Sequence, residues 1–174
     1  MAILAGEALR AEIASGRITI DPYDPGLVGP ASVDLRLGST FRAFRPARRV
    51  VRVDARSDYR DTSEKVVLGD GETLLLMPQE TLLGLTIERI RLAPDLCGWL
   101  EGRSRFARIG LLVHISAGFM QPGLANHQVL ELTNFGPNPL ELVPGTPICQ
   151  FIFQRTEGSA RYAGTFADQD GDAW

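Results

Sequence analysis

Lysine is almost missing from this 174-residue chain: Lys65 stands alone among 18 basic residues, the rest being arginine. Cysteine is scarce too, and Cys97 and Cys149 cannot supply the framework of a disulfide-stapled secreted module. No apolar run approaches the ~20 residues needed to span a bilayer, which excludes a membrane-spanning helix. The opening MAILAGEALRAEIASG lacks a basic start followed by a long apolar stretch, so the expectation is no signal peptide and a cytoplasmic protein. A basic excess is absent as well. The net charge of -3 argues against a nucleic-acid binder. His114 and His127 have no partners at ligand spacing, and the two cysteines lie singly in apolar runs, so no zinc site is expected.

What is present is ordinary globular material, 44% hydrophobic and 22% charged, enough for one domain spanning 1–174. Leu9 and Ile13, four apart, predict a short helix over Ala5–Ser15, with Gly16 ending it. Beyond a loop rich in proline and glycine the period becomes two: Val33, Leu35 and Leu37 alternate with Asp34, Arg36 and Gly38. Further strand-like runs are Val50–Val53, Val66–Leu68, Thr73–Met77, Leu82–Ile87, Leu111–Ser116, Gln128–Thr133, Leu140–Val143 and Ile148–Phe153. Turn signals separate them, and no second block of long helices calls for a parallel sheet. The pattern predicts a mainly β sandwich, barrel or jelly roll with one more short helical turn near Ser104–Arg108. Residues 156–174 are polar and glycine-rich, the composition of a loose tail unless a ligand orders it.

Three groups of residues carry possible chemistry. Gly102-Arg103-Ser104-Arg105-Phe106-Ala107-Arg108 puts a hydroxyl and three cations at a helix start, which suits a phosphate cradle or a basic surface turn. In Val129-Leu130-Glu131-Leu132-Thr133, a strand would turn Glu131 away from Leu130 and Leu132, either to solvent or into a site where it moves protons. Seven arginines between Arg42 and Arg60 form either a solvated hairpin surface or an anion or subunit contact.

Taken together, Ile20-Asp21-Pro22 through Gly38, Gly102-Arg103-Ser104 through Leu111, and His114 through Glu131 resemble the dCTP deaminases of the trimeric dUTPase superfamily. The resemblance implies a distorted jelly-roll or β-clip fold with a short N-terminal helix, and a homotrimer with sites between subunits. It implies a magnesium–nucleoside triphosphate substrate, the metal being held through the phosphates and by no direct protein ligand. Residue by residue, Glu131 matches the catalytic glutamate, which takes a proton from the water that attacks C4 of cytosine. Ser104 and Arg108 match residues that hold this water and glutamate. Arg103, Ser104 and Arg105 occupy the phosphate-binding turn. His114, Ile115, Ser116 and Ala117 match the backbone that reads the base, and Gln121 falls at the sugar. Tyr162 and Gln169 belong to the tail that closes over the triphosphate, a gating role that loops commonly serve.

The sequence departs from the family pattern at three places: Thr165 stands where the tail usually has a lysine, Gln121 replaces an aspartate, and Leu124 replaces a bulky aromatic. The expected reaction is zinc-independent deamination of dCTP to dUTP and ammonia, serving pyrimidine deoxynucleotide supply, with dTTP as a possible inhibitor. Because an amide cannot act as a base, Gln121 is expected to stop the reaction at dUTP. The alternatives are a dUTP diphosphatase, a bifunctional enzyme running on to dUMP, a deaminase of another cytosine nucleotide, and a nucleotide sensor without turnover. No nucleic-acid or membrane partner is expected.

Overall fold

The computed structural model describes residues 2–45, 50–114, 116–167 and 174. In chain order its elements are α1 (Gly6–Ala14), β1 (Ile18–Asp21), β2 (Val33–Phe44), β3 (Ser63–Val67), β4 (Leu74–Leu76), β5 (Thr81–Leu92) and β6 (Leu96–Gly102). There follow α2 (Ser104–Ala107), β7 (Leu111–Val113), β8 (Phe119–Met120), β9 (Ala125–Asn134), β10 (Leu140–Leu142) and β11 (Pro147–Arg155).

Every strand pairing is antiparallel. One sheet runs β7-β9-β5-β2-β11-β6-β8, with β1 added to β5 and β3 to β2, while β10 and β4 form a small ribbon. The twelve-residue strands β2 and β5 are its spine. The first half of β2 pairs with β11 and its second half with β3, and its register on β5 shifts between Leu37 and Phe41. Gly38 sits at that shift because a Cβ there would lie 2.9 Å from the Leu85 carbonyl oxygen. The strand therefore bends and curls one sheet around a single core. Leu35, Leu37, Phe41, Ile90, Leu130 and Phe151 are fully buried there, and Phe151 stacks on Phe153 with ring centroids 4.4 Å apart.

The mainly β architecture matches the period-two reading, and α1 ends at Gly16 with φ +72°. One expectation fails. Val50–Val53 forms no strand: Val50 and Val53 are 95% and 91% exposed, and no neighbouring described strand offers the run a ladder. From Thr156 on, the described part of the tail makes backbone hydrogen bonds to the rest of the chain. The Thr156 amide donates to the Asp95 carbonyl at 2.9 Å, that of Ala160 to Pro94 at 2.8 Å, and that of Tyr162 to Pro122 at 2.9 Å. Backbone pairing, to which composition is blind, anchors the segment. β1 and β8 are strands that the apolar runs did not reveal, and β6 was marked only by the strand-like run around Cys97. Among the described residues no helix is long and apolar enough to cross a membrane.

Candidate active site

β9 alternates as the sequence suggested. Leu130 and Leu132 are buried in the core, and His127, Val129, Glu131 and Thr133 occupy the other face, half-buried. That face floors a cavity of about 490 Å³, walled by Phe44, Leu83, Phe119, Leu124, Tyr162 and Phe166 and lined also by His114, Ala117 and Gln121. A carboxylate thus sits in a mostly aromatic and aliphatic recess with a few polar groups, the usual make-up of a small-molecule site.

Ser116 fixes the Glu131 carboxylate. Its hydroxyl lies 2.7 and 2.6 Å from the two Glu131 oxygens, and its amide donates to Oε2 at 3.1 Å. The His114 amide donates to the Glu131 carbonyl at 2.8 Å, extending the β7–β9 ladder and delivering the next residues to the carboxylate. His114 makes this turn with φ +55°. It is buried, with Nε2 3.1 Å from the Ala117 carbonyl oxygen. Burial pushes its pKa below the usual histidine value, against the Ala117 hydrogen bond and the Glu131 charge, which favour the protonated ring. Its ring is therefore neutral at pH 7 and a weak candidate for holding a phosphate. Sequence reading assigned Ser116 to the base-reading backbone, and its clamp on Glu131 had no signal because fifteen residues separate the two.

The chain after β11 closes one side of the cavity. Asn126 Nδ2 donates to the Phe166 carbonyl at 2.8 Å, and Asn126 is itself bound by Gln128 Nε2 at 2.9 Å. Tyr162 lines the cavity and its hydroxyl accepts from the Phe166 amide at 3.4 Å. Gln121 lies exposed on the rim and Leu124 is buried in the wall, so two of the unusual residues face this space. Ile115 and Gln169 lie outside the described residues.

The other expected residues fall elsewhere. Ser104, Arg105 and Arg108 are exposed on or beside α2 and do not line the cavity. Gly110, with φ +93°, ends this turn against Gly136. Arg103 is committed to the sheet: Nη1 donates to the Pro147 carbonyl at 2.9 Å and Nη2 lies 2.9 Å from Asp34 Oδ2. Burial raises the Asp34 carboxyl pKa, and the Arg103 charge opposes the rise. Arg103 thus holds the turn to β2 and β11, a structural use of the expected phosphate ligand. Cys97 and Cys149 are buried free thiols whose pKa values burial raises. Among the described residues, no three of the His, Cys, Asp and Glu side chains gather as a metal site.

Comparison with known proteins agrees with this geometry. Residues 3–156 match the dCTP deaminase-like family. The dUMP-forming dCTP deaminase of Parafrankia sp. is 41% identical over 97% of this chain and 87% of its own length. The protein of the same name from Mycolicibacterium paratuberculosis is 42% identical over 92% of this chain and 84% of its own. Among solved structures, the 2'-deoxycytidine 5'-triphosphate deaminase of Agrobacterium tumefaciens superposes with a TM-score of 0.66 at 22% identity, covering 88% of this chain and 48% of that one. A dUTPase of Staphylococcus bacteriophage 80alpha gives 0.51 at 11% identity over 85% of this chain and 96% of its own. At those identities the two structures speak for the fold, whereas the family match and the 41–42% relatives speak for descent, and by them this chain belongs to the dCTP deaminase-like family.

Proposed function

We propose that the chain is a dCTP deaminase that hydrolyses magnesium-bound dCTP to dUTP and ammonia, with Glu131 as the proton carrier and no zinc. The observation that carries this reading is the Ser116-held carboxylate on the floor of an aromatic cavity, in a chain of this family. Glu131 accepts a proton from water as the oxygen adds to C4 of cytosine. The carboxyl then returns that proton to the ring at N3. In the second half the adduct's hydroxyl proton passes to the amino nitrogen, the C4–N bond breaks, and the uracil carbonyl forms. One water enters and one ammonia leaves. Ser116 keeps one carboxylate geometry through both halves.

Ser104, Arg105 and Arg108 have no role at this cavity within one chain, and their exposure supports a site completed by α2 of a second copy in a homotrimer. A cytoplasmic location and inhibition by dTTP belong to the same reading.

A second reading, in which the product is hydrolysed further to dUMP, is favoured by the names of the 41–42% relatives. It requires Glu131 alone to activate both waters, because Gln121 on the rim offers an amide.

Ammonia release from dCTP tests the first reading. Glu131→Gln is expected to bind nucleotide and to lose turnover by about 10²–10⁴-fold, the usual contribution of a positioned acid–base group. Activity within about tenfold of the parent removes Glu131 from its role. Stoichiometric zinc in active protein removes the zinc-free mechanism.

A further inference from the structure

Arg48 and Arg49 lie outside the described residues, and the other arginines between Arg42 and Arg60 are of two kinds. Arg45 pairs with Glu64, Arg52 and Arg56 with Asp54, and Arg60 with Asp58. All four are more than half exposed, the solvated surface that such a cluster ordinarily is. Arg42 differs in both respects. It is 9% exposed, and among the described residues no carboxylate pairs with it within 4 Å, Asp58 acting on it through its charge alone. Its Nη1 reaches the Ser63 hydroxyl at 3.4 Å, and its buried Nε has no hydrogen-bond partner. Two rings flank the guanidinium, Tyr59 with its centroid at 5.2 Å and Trp174 at 5.8 Å. Cation–π contacts offset part of the cost of burying a charge, but they leave the open Nε donor unsatisfied.

The position of Arg42 gives that donor a use. The register runs Arg42↔Leu83 and Leu83↔Glu131, so the three side chains share one face of the sheet, with Arg42 two strand spacings, about 10 Å, from Glu131. Tyr59 and Trp174, the rings on the guanidinium, are also walls of the Glu131 cavity. Trp174 is 2% exposed, and its ring touches both the cation and the cavity, whose lining does not include Arg42 itself.

We propose that Arg42 is a phosphate-binding subsite at the far end of the Glu131 cavity, and that the Trp174 ring covers it until an anion takes its place. An arginine with an open donor is suited to a phosphate oxygen, and the charge-assisted hydrogen bonds made there would offset the cost of uncovering the buried Trp174 ring. The proposal rests on the cavity being a nucleotide site. It does not depend on turnover.

The test uses Trp174 as its own reporter. Trp99→Phe leaves it the only tryptophan of the two in the chain. Inorganic tripolyphosphate and dCTP are each expected to change its emission, and deoxycytidine to leave it unaltered. Arg42→Met is expected to abolish the response to tripolyphosphate, and Arg42→Lys, which keeps the charge, to weaken it at least several-fold. Should Arg42→Met not fold by circular dichroism, the lysine variant decides. A raised KM for dCTP at unchanged kcat in Arg42→Lys assigns the subsite to the substrate's own phosphates. Unchanged KM with loss of the emission response to tripolyphosphate assigns it to a separate anion. Emission indifferent to tripolyphosphate in a protein that still deaminates dCTP overturns the subsite and spares the deaminase reading. An intact response in Arg42→Met also overturns it. If that variant falls to a monomer by light scattering, the counterion is a carboxylate of a second copy.

Discussion

The two stretches that most suggested chemistry are built in opposite ways. Glu131 lies on a strand at the floor of a cavity, its carboxylate held by Ser116 and its surroundings closed by Tyr162 and Phe166. Ser104, Arg105 and Arg108 lie exposed around a four-residue helix, which Arg103 ties to Asp34 and Pro147 and Phe106 packs onto the core. One region is enclosed by its own chain. The other presents a hydroxyl and two cations to solvent. The difference is what the proposed reading expects of a site with two halves, α2 being brought to Glu131 by a second copy.

Complementation breaks this comparison most directly. Glu131→Gln and Arg108→Ala are each expected to be nearly inactive. If co-expressed and mixed in one assembly, they place an intact Glu131 against an intact α2 at about one site in four, and activity returns to that fraction of the parent. Mixed assemblies as inactive as either parent would show that each chain carries a whole site and that Arg108 acts elsewhere.

Within the Glu131 half, Ser116→Ala sharpens the account. The carboxylate loses its side-chain hydrogen bond and keeps only the backbone amide of residue 116. A hydrogen bond to a charged group contributes about 1.5–3 kcal/mol when shielded, and Ser116 is exposed, so roughly a tenfold fall in kcat with little change in KM is expected. A rise in KM of the same size with kcat unchanged would place Ser116 in substrate binding instead.

Product analysis addresses the rim. By chromatography, the parent is expected to accumulate dUTP, and Gln121→Asp to shift the product toward dUMP by restoring a carboxylate beside the sugar. Comparable dUMP and ammonia release by the parent establishes the bifunctional reading and makes the aspartate dispensable.

The sequence made β2, β9 and β11 legible because each buries one face, and burial of one face writes a period of two. It marked β6 only by the strand-like run around Cys97, which Gly98 interrupts. Gly98 is there because a Cβ would lie 2.2 Å from the Ile152 carbonyl oxygen, so close strand packing mimics a turn signal. It misled at Val50–Val53, where β-branched residues find no strand to pair with. Glu131 was readable as a charge between apolar positions. Ser116 and Arg42 were not, since their importance lies in what the fold brings beside them, a carboxylate in one case and two rings in the other.

The smallest expected effect concerns His114, at the junction of the cavity and β7. Its left-handed backbone is one that histidine and asparagine tolerate better than most residues, so His114→Asn keeps the turn while removing the titrating ring. Burial lowers the pKa of His114 in the folded chain, so the unfolded chain binds a proton more readily. The stability this neutral ring contributes is fully present above the unfolded value of about 6.5 and is lost as pH falls below it. Many carboxylates also titrate as the solution is acidified, so the slope of the parent alone proves nothing. The comparison of parent and variant isolates the histidine. Thermal unfolding from pH 8 to pH 5 is expected to give parallel Tm values above about pH 7 and a steeper decline for the parent below about 6.5. Parallel curves throughout would mean that the ring is protonated without penalty, and that His114 is more open to solvent than its 8% exposure implies.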